Sequence, residues 1–313
     1  MADTESTSTS DMDVPPRPIS DDLSQLYHQL YGGSAFGTAL AKWADEMPQH
    51  PAVTRLDGNG EPADVLTYSE LFRRVQRLGA FLTEELGLAV GDRVILCYPP
   101  GTNFIIAFLA CLYTGVVAVP VYPPAPNKAD IDVPRFCDIA ESTEVRYSLT
   151  NTFCQRIARV VGLYAKDNRW RSIEWILTSD AFKRRPQTTR TMTASPRPYG
   201  CDSKIDDPTI PNITVTGQPY TRTREILMQR HKISERVRGH RLRLFSWLPV
   251  CHDMGLIGFL CTPIFFGCEI FQMSPLDFIR KPYLWLQGMS RYKACALMEK
   301  EGWKGRGLGH LSG

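Results

Sequence analysis

Apolar residues recur along this chain in two alternating rhythms. The stripe Leu71, Val75, Leu78, Leu82 and Leu86 advances at near-helical spacing, behind Thr67-x-x-Glu70 and ahead of Gly87. Apolar positions three and four apart share one helix face, a capping box opens such a helix, and glycine stops it. Gly91-Asp92 then turns the chain into Val94-Ile95-Leu96-Cys97, an unbroken apolar run that reads as a strand buried on both faces. The alternation continues with a helix over 104–113 capped by Thr102 or Asn103, a strand over 116–121, a helix over 133–142, a strand over 145–149, a helix over 152–164 and a strand over 173–177. Upstream, a helical pattern runs through Leu23, Leu26, Tyr27, Leu30, Leu40 and Trp43. Ala52-Val53-Thr54 reads as a strand, Asp57-Gly58-Asn59-Gly60 as a turn, and Leu66-Thr67-Tyr68 as a short strand or a lead into the helix. Strands alternating with helices predict an α/β fold of mostly parallel sheets with helices on both faces.

Past Asp180 the rhythm fails. Residues 183–243 mix Pro, Thr and Arg with little periodicity, order returns at Leu244-Phe245-Ser246-Trp247-Leu248, and it fades after Lys293. The expected organisation is a disordered tail over 1–20, a first α/β part over 21–182, a poorly ordered basic stretch over 183–243, the remainder of the domain over 244–295 and a divergent tail over 296–313. The sharp edges of the two divergent stretches read as frame shifts or retained introns, with a genuine insertion and tail as the alternative. Between Thr221 and Arg243, Arg222, Arg224, Arg230, Lys232, Arg236 and further arginines are opposed only by Glu225 and Glu235. A nucleic-acid patch needs interleaved aromatics or a recognisable binding fold, and neither is legible, so no nucleic-acid partner is expected.

Composition narrows the class. The apolar fraction is 43%, enough for a sizeable core, and the net charge of +3 gives no global argument for nucleic acid or an anionic membrane. The nine cysteines form no CxxC pair and read as buried thiols in a reducing, cytoplasmic compartment. The segment from Met1 to Asp13 has neither the basic nor the apolar region of a signal peptide. Phe104 to Val121 is uncharged and about as long as a membrane span, but Thr114-Gly115 splits it and Pro120, Pro123 and Pro124 end it. A buried helix followed by a buried strand is expected there, with no transmembrane segment.

The most informative segment is Ser246-Trp247-Leu248-Pro249-Val250-Cys251-His252-Asp253-Met254-Gly255-Leu256-Ile257-Gly258. An apolar strand runs into a His-Asp pair and then a glycine-bearing helix start. Imidazole exchanges protons near neutral pH, and a neighbouring carboxylate orients a group or ligates a metal. By itself such a pair is more often structural than catalytic. The full string, however, resembles the SWLPxxHDMGLIG motif of fatty acyl-AMP ligases, a branch of the adenylate-forming superfamily. Met273-Ser274-Pro275-Leu276-Asp277-Phe278, Pro282-x-x-Trp285-Leu286 and Ser290-Arg291-Tyr292-Lys293-Ala294 resemble the text that follows it in that branch. Leu66-Thr67-Tyr68-Ser69-Glu70-Leu71, Tyr98-Pro99-Pro100-Gly101 and the segment Tyr113 to Pro124 resemble its opening motifs.

The resemblance implies an incomplete N-terminal domain of an adenylate-forming enzyme. It implies activation of a fatty acid by ATP, with magnesium, to an acyl-adenylate, and transfer to an acyl carrier protein or a polyketide synthase. His252 and Asp253 take the catalytic positions, His252 where acyl and nucleotide sites join and Asp253 holding it or the local turn. Met254, Gly255 and Leu256 shape the substrate wall, with Gly255 leaving room for the ligand. One part of the pattern is missing. The family places a Thr/Ser/Gly-rich loop with a lysine before this motif, where backbone N–H groups approach the ATP phosphates. Here Asp206-Asp207-Pro208 and Ile213-Thr214-Val215-Thr216-Gly217-Gln218-Pro219 stand in its place, with one glycine and no nearby lysine. A weak or dead enzyme is therefore expected, and a non-catalytic acyl- or protein-binding module is the alternative.

Overall fold

The computed structural model describes residues 35–183, 243–250 and 254–294. The tails over 1–20 and 296–313, residues 184–242 of the basic stretch, and His252 and Asp253 lie outside the described residues. Two four-stranded sheets organise the rest. The first has the order β4-β3-β5-β6, from β3 (Arg93–Cys97), β4 (Val117–Val121), β5 (Tyr147–Thr150) and β6 (Glu174–Leu177). All its pairings are parallel. Successive side chains of a strand point to opposite faces, and β3 has no polar face. Val94 and Leu96 enter one core cluster, while Ile95 and Cys97 enter another. Helices α4 (Ala129–Ser142) and α5 (Thr152–Tyr164) cover the second face through Val133, Phe136, Ala158 and Val161. The first face meets α1 (Ala35–Glu46), α2 (Tyr68–Ala80) and α3 (Thr102–Thr114).

The second sheet joins sequence segments far apart. Its order is β2-β1-β8-β7, from β1 (Pro51–Leu56), β2 (Pro62–Thr67), β7 (Arg243–Ser246) and β8 (Glu269–Gln272). Here β1 and β2 form an antiparallel hairpin, whereas β8 pairs in parallel with both β1 and β7. Val53 and Ile270 point into the cluster shared with α1, α2 and α3, so those helices lie between the two sheets. Leu56, Phe245 and Phe271 point outward under α6 (Tyr283–Tyr292), which contributes Leu284 to the same cluster. Buried contacts cross between segments. The Tyr68 hydroxyl donates to the Cys268 carbonyl at 2.8 Å, and the Trp43 indole donates to the Phe265 carbonyl at 3.0 Å. Tyr68→Phe is expected to cost about 1–3 kcal/mol, because it strands a buried carbonyl as well as removing a bond. Urea denaturation of the variant checks this, and a shift near zero contradicts it.

Several local details differ from the sequence reading. The predicted capping box is half made: the Thr67 hydroxyl accepts from Glu70 N at 3.3 Å, but the Glu70 carboxylate binds Arg73 and Arg74. Neither Thr102 nor Asn103 caps α3. Gly101 does, and the Thr102 hydroxyl, inside the helix, donates to Asp64 at 2.7 Å. Helix α4 starts at Ala129 rather than Val133, with Pro134 inside it. The strand expected over 145–149 starts at Tyr147, because Glu144 takes a left-handed turn with φ 52°. The stripe through Leu82 is continuous, but its last turn, Phe81–Glu85, is wound as a π-helix. Phe104 to Val121 is the expected helix and strand, and among the described residues no helix is long and apolar enough to cross a membrane.

Candidate functional site

Ligands of open parallel sheets sit beyond the carboxyl ends of the strands. In this chain the ends of β3, β4 and β7 converge. Tyr98, Pro99 and Pro100 follow β3, Val121 and Tyr122 close β4, and Pro249 and Val250 follow β7. With Phe104 they line a small apolar cleft of about 20 Å³. That is room for roughly one water molecule, not for an acyl chain or a nucleotide. The sequence reading left Tyr98, Phe104, Tyr122 and Pro249 without an individual role. Their signal was positional: Tyr98 and Tyr122 each follow a predicted strand directly.

The segment after β7 is held by short-range contacts. The Ser246 hydroxyl accepts from Leu248 N at 3.1 Å, which turns the chain out of the strand. Trp247 stacks on Phe278 with ring centroids 3.9 Å apart and planes 3° from parallel. A π-helical segment, Met254–Cys261, then packs back against the turn. A Cβ on Gly255 would lie 2.2 Å from the Pro249 carbonyl oxygen and 2.8 Å from its carbon. The space at Gly255 is thus filled by backbone of this chain. Leu256 is fully buried in the core between the sheets, and Met254 is 53% exposed. Of the five candidate site residues, the structure brings Gly255 and Leu256 against the turn and the core and leaves Met254 at the surface, while His252 and Asp253 fall outside the described residues.

The electrostatics of the buried titratable groups are those of a dry interior. Burial pushes the Tyr98 phenol well above its ordinary range, so it stays protonated. Burial likewise raises the thiols of Cys137 to about 11 and Cys268 to about 12, and those of Cys111 and Cys261 further. These are inert core thiols, since the thiolate is the reactive form. Burial also raises Glu269, against the pull of Arg243, whose Nε lies 3.0 Å from its carboxylate. Among the described residues no group of three or more His, Cys, Asp or Glu could hold a metal ion. The cleft presents proline, tyrosine, phenylalanine and valine rather than glycine amides and lysine. These described residues do not fit magnesium or a triphosphate.

The family described as AMP-binding enzyme matches residues 40–298. The chain is 26% identical over 270 residues to the long-chain-fatty-acid–AMP ligase FadD26 of Mycobacterium marinum, covering 82% of this chain and 44% of that protein. It is 28% identical over 249 residues to the medium-chain-fatty-acid–[acyl-carrier-protein] ligase JamA of Moorena producens, covering 75% of this chain and 39% of that one. In fold it is similar to the crystal structure of a fatty acid AMP ligase from Legionella pneumophila, with a TM-score of 0.63 and 24% identity over 84% of this chain and 43% of that chain. The chain therefore spans less than half the length of these relatives.

Proposed function

This chain belongs to the AMP-binding enzyme family, and from that premise we propose that it is the N-terminal part of a fatty acyl-AMP ligase-like protein. The observation that carries the reading is the Ser246 to Gly258 segment, which leaves β7 and turns at the converging strand ends of both sheets. In the complete reaction a fatty-acid carboxylate attacks the α-phosphorus of ATP, and pyrophosphate leaves. Magnesium and fixed cations supply charge stabilisation for that step when bound. His252 is the proposed group at the junction of acyl and nucleotide sites, with Asp253 orienting it. Met254, Gly255 and Leu256 form the proposed wall beside the acyl chain. Gly255 acts by letting the π-helical segment close on Pro249. The proposed acceptor is the thiol of an acyl carrier protein or a polyketide synthase, a reading supported by JamA, and the proposed compartment is the cytoplasm.

The chain itself is expected to be inactive or nearly so, because its sequence offers no Gly/Ser/Lys loop for the phosphates. That same feature favours the second reading, a non-catalytic acyl- or protein-binding module. Pyrophosphate exchange into ATP with lauric and palmitic acids, together with a thermal shift on adding ATP and magnesium, separates the two. No exchange is expected on either reading; a shift supports the ligase-like reading, and its absence the binding module. Ordinary turnover overturns the inactivity, and a shift without turnover assigns the chain to the ligase lineage with a surviving nucleotide site.

A further inference from the structure

The carboxyl ends of β3 and β5 stand side by side. Cys97 and Thr150 are register partners, and the Thr150 hydroxyl donates to the Cys97 carbonyl at 2.9 Å. A single residue, Asn151, separates β5 from α5. Its side chain caps the helix, accepting from Cys154 N at 2.9 Å, and so brings the first turn of α5 back over the strand ends. Cys97 points to the sheet face that α4 and α5 cover. The two cysteines therefore meet, and their thiols are hydrogen-bonded to one another. Both are buried, Cys97 fully and Cys154 with 2% of its surface exposed. A strand register and a helix cap make this pair, so no cysteine spacing in the sequence points to it. Its chemistry differs from that of the lone core thiols. The Cys97 S–H donates to the Cys154 sulfur, which holds the Cys154 thiol below its ordinary range against the opposing effect of burial. The same bond, with burial, keeps Cys97 protonated. The positive end of a capped 13-residue helix lies beside Cys154 and favours its thiolate further.

We infer that Cys97 and Cys154 are a peroxide-responsive dithiol that closes to a disulfide between the end of β3 and the start of α5. The Cys154 thiolate attacks one oxygen of hydrogen peroxide and the O–O bond breaks. The leaving hydroxide takes up the proton that Cys154 released, giving water and a sulfenic acid on Cys154. The Cys97 sulfur then attacks the sulfenic sulfur. An S–S bond forms, and the sulfenic hydroxyl leaves with the Cys97 proton as a second water. The two thiols together lose two electrons, and the peroxide gains them. Sulfurs already in hydrogen-bond contact have a short approach to the S–S length of about 2.05 Å. A small uncharged oxidant suits thiols so well covered. Tyr98 lines the cleft and follows Cys97 directly, so the bond pins the strand end from which the cleft wall springs. In a reducing compartment thiol exchange resets the pair, as it does for redox-sensing disulfides.

Peptide mapping of the full chain reads this directly. The folded protein is treated with hydrogen peroxide at neutral pH, blocked with N-ethylmaleimide in denaturant and digested. The expected product is a peptide pair joined through Cys97 and Cys154, lighter by two hydrogens than the reduced pair and released by dithiothreitol. This measurement needs no substitution, so it does not depend on a variant that folds. In Cys97→Ser the sequence of steps stops at the sulfenic acid, which dimedone captures on Cys154. A pair that only fills space carries N-ethylmaleimide on both thiols after peroxide, and that result overturns the inference. A disulfide that joins Cys97 or Cys154 to any other cysteine, in place of the link between them, overturns it as well. So does a Cys97→Ser chain with the parent's Tm whose Cys154 takes no dimedone.

Discussion

Gly255→Ala is expected to destabilise the chain by about 3 kcal/mol, lowering Tm by roughly 6–12 °C. The added carbon would sit 2.2 Å from the Pro249 carbonyl oxygen. Neither partner is a flexible side-chain end. One is the backbone of the turn after β7, and the other is the π-helical segment whose Leu256 and Phe259 are anchored in buried positions. Relief requires the segment to move off the turn, which opens the packing of Leu256 in the core between the sheets. A control lies three residues away. A Cβ on Gly258 would meet nothing within 4 Å, so Gly258→Ala removes backbone freedom from the unfolded chain without a clash and should be neutral or stabilising by up to about 1 kcal/mol. Thermal unfolding of both variants side by side gives the test. If they unfold together, the close approach at Pro249 is not a constraint.

Phe136→Ala carries a comparable cost for a different reason, about 3–5 kcal/mol. Phe136 is 1% exposed on the inner face of α4. Its ring centroid lies 5.2 Å from that of Trp170 and 5.4 Å from that of Trp175, and the two indoles are 5.1 Å from each other. Truncation removes one member of this aromatic triangle. The transfer of a buried Phe is worth roughly 1.5–3 kcal/mol, and aromatic pairs add about 0.5–1.5 kcal/mol. Two large rigid rings on either side cannot collapse into the space, which places the loss toward the upper end. Leu276→Ala, at a position 62% exposed, should stay within about 0.5 kcal/mol. Equal urea midpoints for the two variants would show that the triangle is not a stability centre.

Much of the first sheet was legible because its rules are local. The stripe from Leu71 to Leu82 and the unbroken run Val94 to Cys97 each carry their own period, and helix α5 has the bounds that its pattern predicts. The exceptions are also local. The start of α4 was hidden because Asp130 and Asp132 break the apolar pattern ahead of Pro134, a residue that ordinarily ends helices. The π-helical turn after α2 was invisible, since Leu78 and Leu82 keep the same spacing in either winding. Of the second sheet, strands near β1, β2 and β7 and the turn over 57–60 were legible singly, but their assembly was not. Its pairing of β1 with β8 rests on partners such as Val53 and Ile270, which no periodicity connects. After β7, the close packing of Gly255 on Pro249 was not legible either. A glycine has no side chain to betray its role, and what lies over it is known only from the fold.

The strand order β2-β1-β8-β7 has a consequence for synthesis on the ribosome. The first sheet and its crossovers emerge in order and can assemble as they appear. The hairpin of β1 and β2 cannot complete its own sheet, because its parallel neighbour ends at Gln272. At about 5–20 residues per second, some 200 further residues take on the order of 10–40 s to emerge. Throughout that interval one edge of β1 offers unpaired backbone groups to any passing strand. The nascent chain is therefore open to mispairing during that window, and its yield should be more sensitive to translation rate than its final stability would indicate.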